Sequence, residues 1–164
     1  AEPQDLARAL PSFTGINRRM TWRGRGRGVD IVDDYAHHPT EIRVTLEALR
    51  RSYQPKRVLV VFQPHQHART RHLFEDFATS FSGADEVIVP DIYGAREEGV
   101  EVGGMGSREL ASRICEHGVS ARYLPTLGAA TDRLVQHAVE GDLIVTMGAG
   151  DVWKVADELV NRVC

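Results

Sequence analysis

Val29-Asp30-Ile31-Val32-Asp33-Asp34-Tyr35-Ala36-His37-His38-Pro39-Thr40-Glu41-Ile42 changes its periodicity halfway along. Its first four residues are apolar apart from Asp30, as in a strand covered on both faces. From Ile42 onward apolar residues recur at Leu46, Leu49 and Tyr53, the spacing of one helix face. In the turn between the two patterns, Asp33 to His38 supply two carboxylates, a tyrosine and two histidines. A strand turning into a helix is the unit of an α/β fold, whose ligands bind at the carboxyl ends of the strands. The polar residues crowded into this turn are therefore placed for recognition or chemistry more than for packing.

The alternation continues along the chain. Val58-Leu59-Val60-Val61-Phe62 is a continuous apolar run, and Leu73, Phe74, Phe77, Ala78 and Phe81 then mark a helix. Val87-Ile88-Val89 is the next strand. A glycine-rich loop runs from Gly94 to Gly106, and Ser107 reads as the N-cap of a helix carrying Leu110, Ala111 and Ile114. Arg122-Tyr123-Leu124 is a weak strand, followed by a helix from about Leu127 to Val139. Leu143-Ile144-Val145 is a strong strand, and Val152, Val155, Ala156, Leu159 and Val163 give the last helix. The pattern predicts an α/β, Rossmann-like fold: a mostly parallel sheet of about six strands with helices on both faces. One antiparallel edge strand is expected from Arg18 to Arg23, pairing with Val29–Asp33 through the turn Gly24-Arg25-Gly26. Residues 1–17 read as a short helix and linker, and 18–164 as the domain.

The chain has 164 residues, enough for one domain with its own core. A net charge of −3 gives no reason to expect nucleic acid or an anionic membrane as partner. Apolar runs of about five or six residues fall far short of the ~20 that cross a bilayer. The polar, acidic start AEPQDLARAL does not read as a signal peptide, so a cytoplasmic location is expected. Cys115 and Cys164 suggest no disulfide framework. Cys115 follows Leu110, Ala111 and Ile114, so it is expected as a core thiol. The Arg23–Gly28 stretch of alternating arginine and glycine reads as a hairpin with solvated arginines, not an RNA-binding segment.

The unusual residues fall after strands. DDYAHH follows the first long strand, Gln63-Pro64-His65-Gln66-His67-Ala68-Arg69-Thr70-Arg71 the second, Asp91-Ile92-Tyr93 the third, and Met147-Gly148-Ala149-Gly150-Asp151 the last. All should share one edge of the sheet, the pattern of a binding edge. His37, His38, His65, His67 and His72 are five of the seven histidines. They admit a metal site, recognition of an anionic substrate, or a supporting structural role. The cysteines of a structural zinc site are missing, and neighbouring histidines at a strand end point apart, so no metal is expected. Arg69 and Arg71 can each grip a carboxylate or phosphate through the guanidinium fork. The helix dipole does not favour an arginine near a helix N-terminus, which supports a binding role for one of them. Gly148-Ala149-Gly150 would let the backbone approach a ligand closely.

Together, DDYAHHPTEI, VFQPHQHARTR, DIYGAREE and MGAGD resemble the C-terminal domain of the Mur ligases. The likeness covers essentially the whole chain, and GINRR looks like the junction with that family's central domain. Within the family, FQPH followed by Arg69 is similar to the branch that joins L-alanine to UDP-N-acetylmuramate. The resemblance implies an ATP-dependent amide ligase of peptidoglycan precursor synthesis, working through an acyl phosphate. It implies that Asp34 holds the ATP ribose and that Arg19, at the hinge, lies near the nucleotide. It implies that Tyr35, His37 and His65 line the alanine and muramoyl-carboxylate side of the cleft, that Arg69 binds anionic substrate, and that the Gly148-Ala149-Gly150 loop borders the cleft. Many family members have arginine and tyrosine where this chain has Gln66 and His67, so the substrate-carboxylate contact at Gln66 stays open. The implied partners are UDP-N-acetylmuramate, L-alanine and ATP with Mg2+, together with the enzyme's own N-terminal and central domains.

No G-x-x-x-x-G-K-[ST] phosphate loop is present, and the only lysines are Lys56 and Lys154. The chain is therefore expected to be a third domain, inactive by itself and holding no catalytic residue, tight cofactor or metal alone. The rival readings are a related muramoyl-peptide ligase and a free-standing nucleotide- or metal-binding Rossmann-like module. The module should carry G-x-G-x-x-G after its first strand, and this chain has DDYAHH there.

Overall fold

A computed structural model describes Asp5, residues 16–94 and residues 105–163. The helix and linker expected over residues 1–17 lie outside the described residues except for Asp5, which is helical, and residues 16–17. Most of the glycine-rich loop and Cys164 also lie outside them.

Six strands form one sheet: β1 (Thr21–Gly26), β2 (Val29–Asp34), β3 (Arg57–Phe62), β4 (Glu86–Val89), β5 (Ser120–Tyr123) and β6 (Asp142–Met147). Their spatial order is β1-β2-β6-β3-β4-β5. Only the β1–β2 pair is antiparallel. The last strand thus inserts between β2 and β3, with Val32 beside Val145 and Val60 beside Val145 on the other side.

Alternate side chains of these strands enter two cores. Val32, Val58, Val60, Phe62, Val87 and Val145 pack under α1 (Pro39–Tyr53), α3 (Phe74–Ala78) and α4 (Ser107–Glu116). Ile31, Leu59, Val61, Ile88 and Ile144 pack under α5 (Leu127–His137) and α6 (Trp153–Val163). Helices therefore cover both faces, as the unbroken apolar runs require. The short α2 (His67–His72) precedes α3.

Four local expectations need correction. The edge strand is Thr21–Gly26, not Arg18–Arg23, and its turn is Arg27-Gly28, not Gly24-Arg25-Gly26. Both turn residues have positive φ (51° and 75°), the requirement of a two-residue hairpin turn that follows strand twist. Arg23 is the extra residue of a bulge, because Trp22 pairs with Val32 and Gly24 with Ile31. The single helix expected around Leu73–Phe81 is two helices, α2 and α3, meeting at Leu73. Ser107 is the first helical residue of α4, not its cap; Gly106 caps, and its N–H donates to Glu109 Oε2 at 2.9 Å. Cys115 is exposed, not a core thiol. It lies in the last turn of α4, where its sulfur meets the backbone of Ala121 on β5 at 3.2 Å.

Candidate functional site

Five parallel strands end on one edge of the sheet, here the carboxyl edge. Because β1 is antiparallel, the residues entering it, Arg18–Met20, lie on that edge too. The strand order sets the loops in a row: residues 35–38 after β2, 148–151 after β6, 63–66 after β3, and 91–93 after β4. The glycine loop lies between the loops that follow β2 and β3.

The β2–α1 loop is fixed by its carboxylates. Asp34 is buried; its Oδ1 accepts from Ala36 N and its Oδ2 from Met20 N, both at 2.7 Å. A carboxylate offers about four lone-pair positions, so two remain for a further partner. His38 is the N-cap of α1, and Glu41 Oε2 accepts from the N–H groups of His37 (3.0 Å) and His38 (3.2 Å). Burial pushes the Glu41 carboxyl up, but these two amides and the charges of His37 and Arg19 outweigh it and hold the group below its usual range. His37 Nδ1 lies 3.0 Å from Tyr35 O, so in the neutral ring Nδ1 carries the proton and Nε2 is the acceptor. The Tyr35 ring is edge-on to His37, with centroids 5.2 Å apart.

Glu41→Ala should cost about 1 kcal/mol, as loss of an N-terminal cap does. Since the folded-state value of Glu41 is lowered, its contribution is present above the unfolded-state value and lost as pH falls through the folded one. Thermal melts at neutral and acid pH check this: the gap between unaltered and substituted protein should close in acid.

The β3–α2 loop carries His65 and Arg69. His65 bridges to Tyr93 in a parallel backbone contact, and the two rings stack with centroids 5.6 Å apart at 17°. Gln66 takes φ 70°, held by Gln66 N donating to Tyr93 O and Tyr93 N to Pro64 O. Non-glycine residues held in such a conformation gather where function constrains the backbone. Arg69 is half-buried and Arg71 exposed, separated by the buried Thr70. No side chain among the described residues pairs with the Arg69 guanidinium.

Gln63 belongs to the FQPH motif but carries no role in the sequence reading, and in the structure it ties β3 to the glycine loop. Its Nε2 donates to Asp151 Oδ1 at 3.0 Å, and its Oε1 accepts from Val152 N at 3.1 Å. Burial raises the Asp151 carboxyl, but Gln63 and Lys154 outweigh it and lower the group overall. Gly150 has no room for a side chain: a Cβ would lie 2.5 Å from Gln63 Oε1 and 2.7 Å from Tyr93 Cγ. Arg18 is a second residue that sequence reasoning misses, in favour of its neighbour. Arg19 is exposed, while Arg18 is bonded into the edge. Its only signal in the sequence is the doubled arginine of the junction.

The structure thus brings Asp34, Tyr35, His37, His65, Arg69 and Gly148-Ala149-Gly150 to one edge, with Arg19 beside it. Among the described residues no three or more His, Cys, Asp or Glu side chains are grouped to hold a metal ion. Among them, too, no helix is long and apolar enough to cross a membrane. The edge can bind anions through Arg69 and backbone N–H groups, and can orient a substrate between imidazoles and an aromatic ring.

A family model described as the Mur ligase, glutamate ligase domain matches residues 18–150. A UDP-N-acetylmuramate–L-alanine ligase of Desulforamulus reducens is 46% identical over 160 residues, covering 97% of this chain and 34% of that protein. One of Bdellovibrio bacteriovorus is 41% identical over 157 residues, covering 95% of this chain and 34% of its own length. The chain therefore spans about a third of the length of these relatives. The solved UDP-N-acetylmuramate–alanine ligase of Thermotoga maritima superposes with a TM-score of 0.76 at 26% identity, over 96% of this chain and 33% of that one. A murein peptide ligase of Psychrobacter arcticus gives 0.77 at 25% identity, over 95% of this chain and 32% of that one.

Proposed function

Because the chain belongs to the Mur ligase family, we propose that it is the C-terminal domain, residues 18–164, of an ATP-dependent ligase joining L-alanine to the carboxylate of UDP-N-acetylmuramate. Residues 1–17 are then the link to a central domain with the phosphate loop and an N-terminal domain for the uridine nucleotide. The observation that carries this reading is the row of four polar loops on one carboxyl edge, in a chain whose relatives over nearly its full length are named as alanine ligases. ATP phosphorylates the muramoyl carboxylate, and the amine of alanine attacks the acyl phosphate, releasing phosphate. The protein acts in the cytoplasm, where ATP and the nucleotide substrate are found.

In this reading the domain binds and encloses more than it reacts. Asp34 directs its two remaining lone-pair positions at the ATP ribose, with Arg19 near the nucleotide. Tyr35, His37 and His65 line the alanine and muramoyl-carboxylate side, and Arg69 pairs with anionic substrate. The Gly148-Ala149-Gly150 loop lies between these groups. Closure of the domain over the other two excludes water from the charged intermediate and strengthens every electrostatic contact to it. Mg2+ travels with ATP and is held by the central domain.

Phosphate release by the full-length protein tests the proposal. It should require ATP, Mg2+, UDP-N-acetylmuramate and alanine together, and the isolated chain should give none. Turnover by the isolated chain, or equal turnover with an alanyl-glutamyl-diaminopimelate peptide in place of alanine, would overturn it. The second outcome would favour the peptide-ligase branch, to which the Psychrobacter arcticus structure belongs by name.

A further inference from the structure

Arg18 enters the edge from the junction and is bonded on three sides. Its Nε donates to Asp33 Oδ2 at 2.9 Å, its Nη2 to Gly148 O at 2.7 Å, and its Nη1 to Gly150 O at 3.2 Å. Its carbonyl accepts from Tyr35 N at 2.7 Å, and its guanidinium carbon lies 5.1 Å from the centre of the Tyr35 ring. The Asp33 side chain is fully buried and also accepts from Thr146 Oγ1 at 2.7 Å. Arg18 takes φ 59°, a conformation that side chains rarely adopt and that the surrounding bonds must hold.

A lysine would be enough to neutralise Asp33. It could not reproduce the planar fork that reaches two carbonyls as well. Those carbonyls belong to the glycine loop of the row. In a trans peptide the C=O and the following N–H point in opposite directions. Drawing Gly148 O toward Arg18 therefore turns the Ala149 N–H away from it. Ala149 is half-buried, and no acceptor among the described residues takes that N–H.

We infer that Arg18 is a positioning residue: it fastens the junction to the Gly148–Gly150 loop and to Tyr35, so that these substrate-facing groups hold one arrangement. It acts through that loop and does not itself touch substrate. A second consequence is that the chain from residue 18 onward is fastened to this domain. The inference rests on the ligase reading for its kinetic test alone.

Two variants of the full-length ligase separate positioning from charge neutralisation. Arg18→Lys keeps a cation for Asp33 and loses the fork. The double variant Arg18→Met with Asp33→Asn removes both charges, so no unpaired buried ion remains to unfold the domain. Displacing a bound group by about an ångström can cost on the order of a hundredfold in rate. Both variants should lower kcat/KM for alanine at least tenfold, with the KM for ATP within about threefold and the melting temperature near that of the unaltered protein. Amide exchange in residues 148–152 should be faster in both. Unaltered kcat/KM together with unaltered exchange in either variant would overturn the inference. If the unaltered protein shows no ligase activity in the same assay, the ligase reading fails, and the exchange rates in 148–152 still decide whether Arg18 fastens the loop.

Discussion

Gly148→Ala will destabilise the domain by on the order of 3 kcal/mol, from backbone strain plus overpacking. Gly148 has φ 145°, a region that L side chains rarely enter, so alanine is strained there whatever the space. A Cβ would also lie 2.7 Å from Gln63 O, a backbone atom at the buried end of β3 that cannot swing aside. The two costs add because they have different origins. For a domain of this size that is a fall of roughly 6–12 °C in Tm. Gly128→Ala is the control. Gly128 lies in the first turn of α5, and a Cβ added there would meet nothing within 4 Å, so alanine should be neutral or stabilise by up to about 1 kcal/mol. Thermal melts of both variants check the contrast, and equal effects would show that the glycine loop is looser than its contacts indicate.

Arg69→Ala will lower kcat/KM of the full-length ligase at least tenfold for alanine or the muramoyl nucleotide, while Arg71→Ala stays within a few-fold. Positions 69 and 71 are about 200° apart around α2, twice the ~100° step of a helix, so they start from different faces of it. Their surroundings separate them: Arg69 is half-buried and Arg71 exposed. Arg69 follows the His65–Tyr93 stack and has no acidic partner among the described residues, which leaves its charge for a ligand. Removing one member of an ion pair from a water-excluded site costs roughly 2–5 kcal/mol, partly because the other is left unpaired. Steady-state kinetics of the two variants decide it, and the reverse ranking would mean that Arg71 faces the substrate.

The parts of the fold that a local pattern determines are legible in the sequence. β3 and β6 are buried on both faces and read as apolar runs, β2 reads as one interrupted by Asp30, and α1 shows its buried stripe at Ile42, Leu46 and Leu49. The carboxyl-edge placement of the polar residues follows from that alternation alone. What escapes depends on contacts between distant residues or on backbone angles. Arg18 meets Gly148 across 130 positions, and nothing near Arg18 announces it. Gln63 stands out as part of FQPH, but its partners Asp151 and Val152 are known only once β6 lies beside β3. The β1–β2 turn is misplaced by the sequence pattern because glycines suggest turns, whereas here Gly24 and Gly26 are in the strand and Arg27 takes the positive φ. Cys115 reads as core because it follows the apolar stripe of Leu110, Ala111 and Ile114, but in the last turn of α4 its sulfur reaches only the backbone of the edge strand β5 and stays exposed.

In the proposed ligase the carboxyl edge, and not the opposite end of the sheet, receives the substrates. Amide hydrogen exchange in the full-length protein, with and without UDP-N-acetylmuramate and a non-hydrolysable ATP analogue, distinguishes the two ends. Exchange should slow in residues 34–38, 63–69 and 148–151, with little change in 25–28, 54–56 and 139–142 at the other end. Protection confined to that other end, or binding with no protection anywhere in residues 18–163, would contradict it.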